Sequence, residues 1–248
     1  KISEIHYEVV WTFHHIILDG WSQGIIMNEL FSIYDSLVAG EKIVTNEVIP
    51  YKKYIDWIKE KEKSSNNLSF WKEYLRDFKE QTSIPVTWHN KENDSYIRQE
   101  YNQIIDKGHT EKMKNIANKN KVTLNAILQT IWGILLQKYN NTNDSVFGVV
   151  VSGRFSTLPG IDKIVGMLIN TIPLRITSNQ ESLFIDMIKQ TQQDILQCNE
   201  YAQCSLAEIQ SISQVKQNLI QHIIAFENYP GKKDSDTYIH NVRVSEQT

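Results

Sequence analysis

Apolar and polar residues alternate near the start of the chain and then give way to helical spacing. The alternation runs through Tyr7, Val9, Trp11 and Phe13. It predicts a strand over residues 4–13 with one buried face. From Ser22, placed as an N-cap, apolar residues recur at intervals of three and four, which predicts a helix that ends at Gly40.

The rest of the chain continues this mixture of helices and strands. Helices are predicted at residues 51–60, 68–78, from about 110, and from a cap at Thr123 through Leu136. Capping boxes predict two more, one at Ser178 with Glu181 and one at Ser205 with Glu208. Further strands are predicted at residues 96–105, 146–151, 171–176, 219–226 and 238–244. This pattern predicts a mixed α/β (α+β) fold class.

The chain is long enough for two lobes. Periodicity is lost and turn-forming residues accumulate over residues 81–95, so we expect a boundary there. The expected division is 1–80, a linker at 81–95, and 96–248. Because the chain begins inside a predicted core strand, we expect it to be a fragment of a longer protein.

Composition and charge narrow the function classes. Apolar residues make up 41% and charged residues 22% of the chain, and the formal net charge is −3, so no global field attracts nucleic acid or an acidic membrane. No apolar run reaches membrane-spanning length, and the N-terminus has no signal-peptide pattern. The two cysteines, Cys198 and Cys204, fit no redox or zinc spacing and suit a reducing compartment, so we predict a cytoplasmic protein.

The segment His14-His15-Ile16-Ile17-Leu18-Asp19-Gly20 is the best candidate for chemistry. Adjacent side chains on an extended segment point to opposite sides, so His14 and His15 are not expected to act on one ligand. This argues against a metal site, and we predict none. One histidine would face a cavity while the other holds the loop from behind.

A histidine in such a loop suits general-base catalysis, because imidazole exchanges protons near neutral pH. Gly20 permits close approach of a substrate, and Asp19 can bond loop amides or pair with an arginine to fix the turn. A histidine-containing turn with no catalytic role remains an alternative on the residues alone.

The motif His-His-x-x-x-Asp-Gly followed by Trp21-Ser22 resembles the signature of nonribosomal peptide synthetase condensation domains. Three later segments are similar to further family motifs: Val150-Val151-Ser152-Gly153-Arg154, Val165 to Arg175, and Phe226-Glu227-Asn228-Tyr229-Pro230. The aromatic helices around Tyr51–Trp57 and Phe70–Leu75 resemble the two that follow the motif in the family. These matches span nearly the whole chain in the family's order.

The resemblance implies a two-lobed fold like chloramphenicol acetyltransferase, with most of the first lobe missing. Residues 1–80 would then be the C-terminal part of the N-lobe, and residues 96–248 a C-lobe truncated at its end. The implied reaction joins a donor acyl or peptidyl thioester to an acceptor aminoacyl thioester through a peptide bond, in secondary-metabolite and antibiotic biosynthesis. Both substrates would arrive on 4'-phosphopantetheine arms of carrier domains, next to an adenylation domain, and no cofactor would bind the chain directly.

The resemblance also assigns roles to single residues. His15 matches the catalytic histidine, whereas His14 and Asp19 match positions that shape the loop. Gly20 and Asn170 match positions near the substrate. Asp19 is expected to pair with an arginine from a segment before Lys1. Because most of the first lobe would lie before Lys1 and the family's closing elements beyond Thr248, we predict that the isolated chain lacks a complete substrate tunnel and is inactive.

Other functions on the same fold stay open. They are epimerisation, ester formation, a tailoring acyl transfer, or carrier docking without catalysis. The Asp19-Gly20-Trp21-Ser22 continuation and the Phe226–Pro230 motif favour condensation over epimerisation.

Overall fold

The computed structural model describes most of the chain. The described residues are 1–4, 7–45, 47–64, 67–85, 99–154, 157–227, 237–239 and 242–244. The chain divides into two compact units that are not continuous in sequence. Unit 1 comprises residues 1–65, 152–169 and 227–248, and unit 2 comprises residues 66–151 and 170–226. The predicted lobe boundary at 81–95 lies largely outside the described residues and stays a prediction.

Unit 1 contains two long helices, α1 (Gly20–Ala39) and α2 (Tyr51–Ser64). Helix α1 ends as predicted at Gly40, whose left-handed backbone (φ 69°) lets its amide donate to carbonyls of the last turn. The segment 152–169 connects two strands of unit 2 and carries a short 3-10 turn at Ile161–Lys163. Near the end of the chain, β4 (Thr237–Ile239) pairs antiparallel with β5 (Val242–Val244).

A small core in unit 1 joins α2 to the 152–169 segment. Its buried members are Tyr54, Ile161, Ile164 and Leu168. The predicted aromatic stripe of α2 supplies one side of this core, because Tyr51, Tyr54 and Ile55 recur at helical spacing.

Unit 2 is a three-stranded sheet covered by helices. Its elements are α3 (Asn67–Tyr74), α4 (Lys107–Asn120), α5 (Leu124–Asn140), β1 (Asp144–Val151), β2 (Asn170–Thr177), α6 (Phe184–Glu200), α7 (Leu206–Ile212) and β3 (Ile223–Ile224). The central strand β1 pairs antiparallel with β2 and parallel with β3. It is buried along most of its length, as expected for an apolar run between two neighbours. The α/β class is confirmed.

Four sequence-based predictions in unit 2 and at the start of the chain are wrong. Residues 7–13 and 99–105 form no strand, because among the described residues no neighbouring strand pairs with either segment. The residues of 219–226 contribute only the two-residue β3, preceded by a 3-10 turn at Lys216–Leu219. Helix α6 begins at Phe184 rather than at a Ser178 capping box, since the Ser178 hydroxyl donates to Gln137 Oε1. The second box, at Ser205 and Glu208, is present.

Candidate active site

The His14–Gly20 loop leads directly into the N-terminus of α1. Its two histidines are exposed, whereas Leu18 is buried and Asp19 is completely buried. Gly20 is the first residue of α1. The loop is therefore fixed at its helical end and open at its histidines.

His14 stabilises the turn through two hydrogen bonds inside the loop. The Ile16 amide donates to Nδ1 of His14, and the Ile17 amide donates to the His14 carbonyl, both at 3.1 Å. The imidazole of His15 takes no part in these two bonds. Both histidines are exposed, but they differ in their bonding, because His14 is bonded into the loop and His15 is not part of these bonds.

Asp19 is the N-cap of α1. Its Oδ1 accepts a hydrogen bond from the Ser22 amide at 2.8 Å, which satisfies one of the free amides of the first turn. Its Oδ2 accepts from the Leu168 amide at 3.0 Å. The prediction of Ser22 as N-cap is wrong by three residues, because the aspartate carboxylate reaches the first turn of the helix from the position before it.

The arginine partner of Asp19 is Arg154. Its Nη1 donates to Asp19 Oδ2 at 3.0 Å and its Nη2 to Oδ1 at 3.4 Å, a bidentate pair with 4% and 0% of the two side chains exposed. The expectation that this partner lies before Lys1 is therefore wrong. Arg154 was among the motif residues, but 135 positions separate it from Asp19, and sequence periodicity carries no signal over that distance.

Ser22 joins the same cluster with its hydroxyl. Its Oγ donates to the Gly166 carbonyl at 2.9 Å and accepts from the Gly166 amide at 3.0 Å. It also accepts from Nη2 of Arg154 at 3.2 Å, and this nitrogen donates to the Ile164 carbonyl at 3.0 Å. Sequence reasoning missed this role of Ser22, although the serine was recognised as part of the motif.

Tyr51 of α2 holds the same backbone from another direction. Its hydroxyl donates to the Met167 carbonyl at 2.7 Å. A Cβ added at Gly166 would lie 2.2 Å from the Tyr51 ring, so only glycine fits there. Burial, and next the charge of Asp19, raise the pKa of Tyr51, so this hydroxyl stays protonated as a donor. Burial likewise raises the pKa of Tyr54 to about 12.

Asn170 is the first residue of β2 and belongs to unit 2. Its Nδ2 donates to the Ala202 and Cys204 carbonyls, both at 2.7 Å, and its Oδ1 accepts from the Thr171 amide at 2.8 Å. These contacts use both amide protons within the protein. The structure therefore gives Asn170 partners in the turn after α6, and its predicted place beside a substrate stays a prediction.

Neither cysteine is a candidate nucleophile. Cys198 and Cys204 are buried, and neither forms a disulfide. Burial raises the pKa of the Cys198 thiol to about 12, which leaves it protonated and unreactive at neutral pH. In the part of the chain that the structure describes, no three or more His, Cys, Asp or Glu side chains converge as a metal site would require. No described helix is both long and apolar enough to cross a bilayer.

The family model described as Condensation domain matches residues 1–246. The chain belongs to the condensation domain family. This match confirms the family that was predicted from the sequence motifs. Gramicidin S synthase 2 of Brevibacillus brevis is 43% identical over 230 residues, which cover 93% of this chain and 5% of that protein. Bacitracin synthase 3 of Bacillus licheniformis is 42% identical over 229 residues, which cover 92% of this chain and 4% of that protein.

Solved structures of other condensation domains share the fold of this chain. The first condensation domain of the CDA synthetase has a TM-score of 0.66 at 17% identity, over 87% of this chain and 48% of that one. VibH, an NRPS condensation enzyme, has a TM-score of 0.61 at 20% identity, over 80% of this chain and 46% of that one. The chain thus spans about half the length of these solved chains and a small fraction of the synthetases.

Proposed function

We propose that this chain contributes the reaction loop, residues His14–Gly20, of a condensation domain. This domain forms a peptide bond between two carrier-bound thioesters. The donor is an acyl or peptidyl thioester, and the acceptor is an aminoacyl thioester. Family membership and the motif at His14–Gly20 support this assignment. The two synthetases compared above are named for gramicidin S and bacitracin.

One observation carries the proposal. Within a single short loop, the aspartate is buried and fully bonded while the second histidine stands exposed and outside the bonds that shape the turn. Unlike His14 and Asp19, His15 takes no part in the bonds that shape the turn and anchor it, which leaves its imidazole available to a substrate. The proposed division is between a support, Asp19 with His14, and a working group, His15.

The chemistry follows from these parts. The acceptor amine attacks the thioester carbonyl carbon, the carbon–sulfur bond breaks, and the donor thiol leaves as the amine loses a proton. His15 is proposed to take that proton and to orient the amine. Orientation of two tethered reactants can lower the barrier by several kcal/mol (about 7–11 at most), and a general base adds about 10²–10⁴-fold, so we expect positioning to be the larger effect. Gly20 and Asn170 are proposed to lie near the substrates.

The proposed partners are a donor carrier domain, an acceptor carrier domain and a neighbouring adenylation domain of a multidomain synthetase. The substrates would be held on 4'-phosphopantetheine, with no cofactor bound to this chain itself. We also propose that the synthetase works in the cytoplasm, since two buried cysteines that form no disulfide suit a reducing compartment.

The test is peptide formation by the synthetase module that contains this chain, with both carriers loaded. His15→Ala is expected to lower the turnover of condensation by about 10²–10⁴-fold. The matched control, His109→Ala, removes an exposed histidine of α4 and should leave turnover unchanged. Unchanged turnover in the His15 variant would reject the assignment. A single-turnover measurement with preloaded carriers keeps the adenylation step out of the result.

A further inference from the structure

We propose that Ser22 is a positioning residue for His15, acting through the first turn of α1. The proposal rests on the function proposed above and extends it to a residue that makes no contact with the reacting groups. Its basis is the way in which the reaction loop is attached to the rest of unit 1.

The loop has little structure of its own. The two hydrogen bonds that shape residues 14–17 both end on His14, and the side chains of Ile16 and Ile17 are 71% and 57% exposed. Such a turn can keep its internal shape while it moves as a whole. Its location is therefore set by its attachment at the N-terminus of α1, where the chain becomes buried at Leu18 and Asp19.

Ser22 fastens that N-terminus to the segment around Gly166. A hydroxyl can donate one hydrogen bond and accept two, and Ser22 uses this whole capacity within a completely buried site. The bond that the hydroxyl donates goes to the Gly166 carbonyl, and one of the two bonds it accepts comes from the Gly166 amide, so the serine holds the peptide groups on both sides of this residue. The third bond comes from Arg154, which is also paired with Asp19.

The partner of Ser22 is itself immobilised. Gly166 lies against the Tyr51 ring, and the next carbonyl, that of Met167, accepts a hydrogen bond from the Tyr51 hydroxyl. Helix α2 thus supports the same backbone segment to which Ser22 is hydrogen-bonded. Ser22 therefore links the Gly166 backbone, which α2 supports, to the first turn of α1, which carries the reaction loop. A residue that determines the position of His15 is expected at such a link.

Removing the hydroxyl should loosen this link without removing the helix. In Ser22→Ala the Asp19 carboxylate still accepts from the backbone amide of residue 22, so α1 keeps its N-cap. The amide and carbonyl of Gly166 lose their partner, and the first turn of α1 can shift relative to α2. A displacement of about 1 Å at a reacting group can lower a rate by about 100-fold.

The first measurement is kinetic and uses the loaded synthetase module. Ser22→Ala is expected to lower kcat for peptide formation by about 10- to 100-fold while KM for the acceptor carrier stays within about twofold, because the carrier surface is untouched. Ser36→Ala is the matched control: its hydroxyl lies on the same helix, is exposed and donates only to the Ser32 carbonyl. It should change neither constant. A Ser22→Ala variant with normal kcat overturns the proposal, as does a rise in KM with kcat unchanged.

The second measurement does not depend on the reaction. The chain has 7 histidines, and isotope labelling at the Cε1 position of their imidazoles gives one carbon–proton NMR signal for each, with the His15 signal assigned by its loss in His15→Ala. In Ser22→Ala the His15 signal should shift or broaden, whereas the His109 signal should stay in place. An unmoved His15 signal overturns the positioning role, even where the proposed reaction is correct. A shifted His15 signal together with full turnover in His15→Ala would reject the proposed function instead.

Should Ser22→Ala fail to fold, Ser22→Cys decides the question, since a thiol keeps a weak donor and acceptor at the same place. Its kcat is expected to lie between those of the wild type and the His15→Ala variant, again with unchanged KM. A folded Ser22→Cys chain with wild-type kcat and an unmoved His15 signal overturns the proposal.

Discussion

At the scale of single residues, His222 is a histidine placed where a charge is unfavourable. Its ring stacks on Phe147 in β1 and meets the Trp132 ring of α5 edge-on, with ring centroids 6.3 and 5.4 Å away. Among the described residues its Nε2 has no hydrogen-bond partner. Burial therefore lowers the pKa of His222 from its ordinary value of 6.5.

This shift predicts that protonation of His222 opposes folding. Because the folded-state pKa is the lower one, the unfolded chain takes up the proton first as the pH falls. The stabilising contribution is complete above pH 6.5 and is lost as the pH falls from there through the folded-state pKa. His222→Phe, which keeps an apolar ring between the two aromatic neighbours, should remove this dependence.

The measurement is the free energy of urea unfolding between about pH 5 and pH 8, the range in which histidine charge changes. Wild-type stability should fall more steeply toward low pH than that of His222→Phe. The control is Gln221→Ala, which changes the exposed neighbouring residue and no titrating group, so its profile should run parallel to that of the wild type. Parallel profiles for the wild type and His222→Phe would contradict the prediction.

At the scale of elements, α7 depends on its capping box. The Ser205 hydroxyl accepts from the Glu208 amide at 3.3 Å, and the Glu208 carboxylate accepts from the Ser205 amide at 3.0 Å. With only seven residues, α7 has little propensity to form by itself. Ser205→Ala should therefore lower the free energy of unfolding by about 1 kcal/mol.

The Ser178–Glu181 pair provides the comparison. It has the same sequence spacing, but Ser178 bonds Gln137 and the helix starts later, so the Glu181 side chain caps nothing. Glu181→Ala should change the unfolding free energy by less than about 0.5 kcal/mol. Equal losses in Ser205→Ala and Glu181→Ala, measured by urea unfolding at one pH, would show that the box has no special part in α7.

These two serines also show how far the sequence can predict the fold. Local rules succeeded where the partners are close in the chain, as for the Thr123 cap of α5 and the Gly40 end of α1. They failed at Ser178, because a tertiary partner, Gln137, competed for the hydroxyl. Alternation at residues 7–13 indicated a strand, yet a strand needs a neighbour, and alternation does not reveal whether one is present.

The candidate site shows the same difference between partners that are close in the chain and partners that are distant. Its local part, the loop that runs from the paired histidines into a helix start, was predicted from the motif. Its distant part was not, since Arg154 and Gly166 reach Asp19 and Ser22 across more than a hundred residues. The motifs marked both segments as important, but only the fold brings them together.

At the scale of the whole molecule, each unit contains its own arginine–aspartate link, which is buried in unit 1 and half-buried in unit 2. In unit 1 Arg154 pairs with Asp19, and in unit 2 Arg175 pairs with Asp144, its Nη2 lying 2.6 Å from Oδ2. Arg154→Met leaves the Asp19 charge buried without its cation, which should lower the free energy of unfolding of unit 1 by about 3–5 kcal/mol. Arg154→Lys should recover part of this loss, because it restores the charge but not the planar fork.

The effect should stay local, since unit 2 has a core built from its own helices and strands. We expect hydrogen exchange in Arg154→Met to accelerate at the amides of Ser22, Gly166 and Leu168, while the β1–β2 ladder keeps its protection. Arg175→Met, the matched control, should give the reverse pattern. If Arg154→Met exposes the β1–β2 amides as strongly as those of unit 1, the two units unfold together, and the link at Asp19 then supports the entire chain rather than the reaction loop and its surroundings.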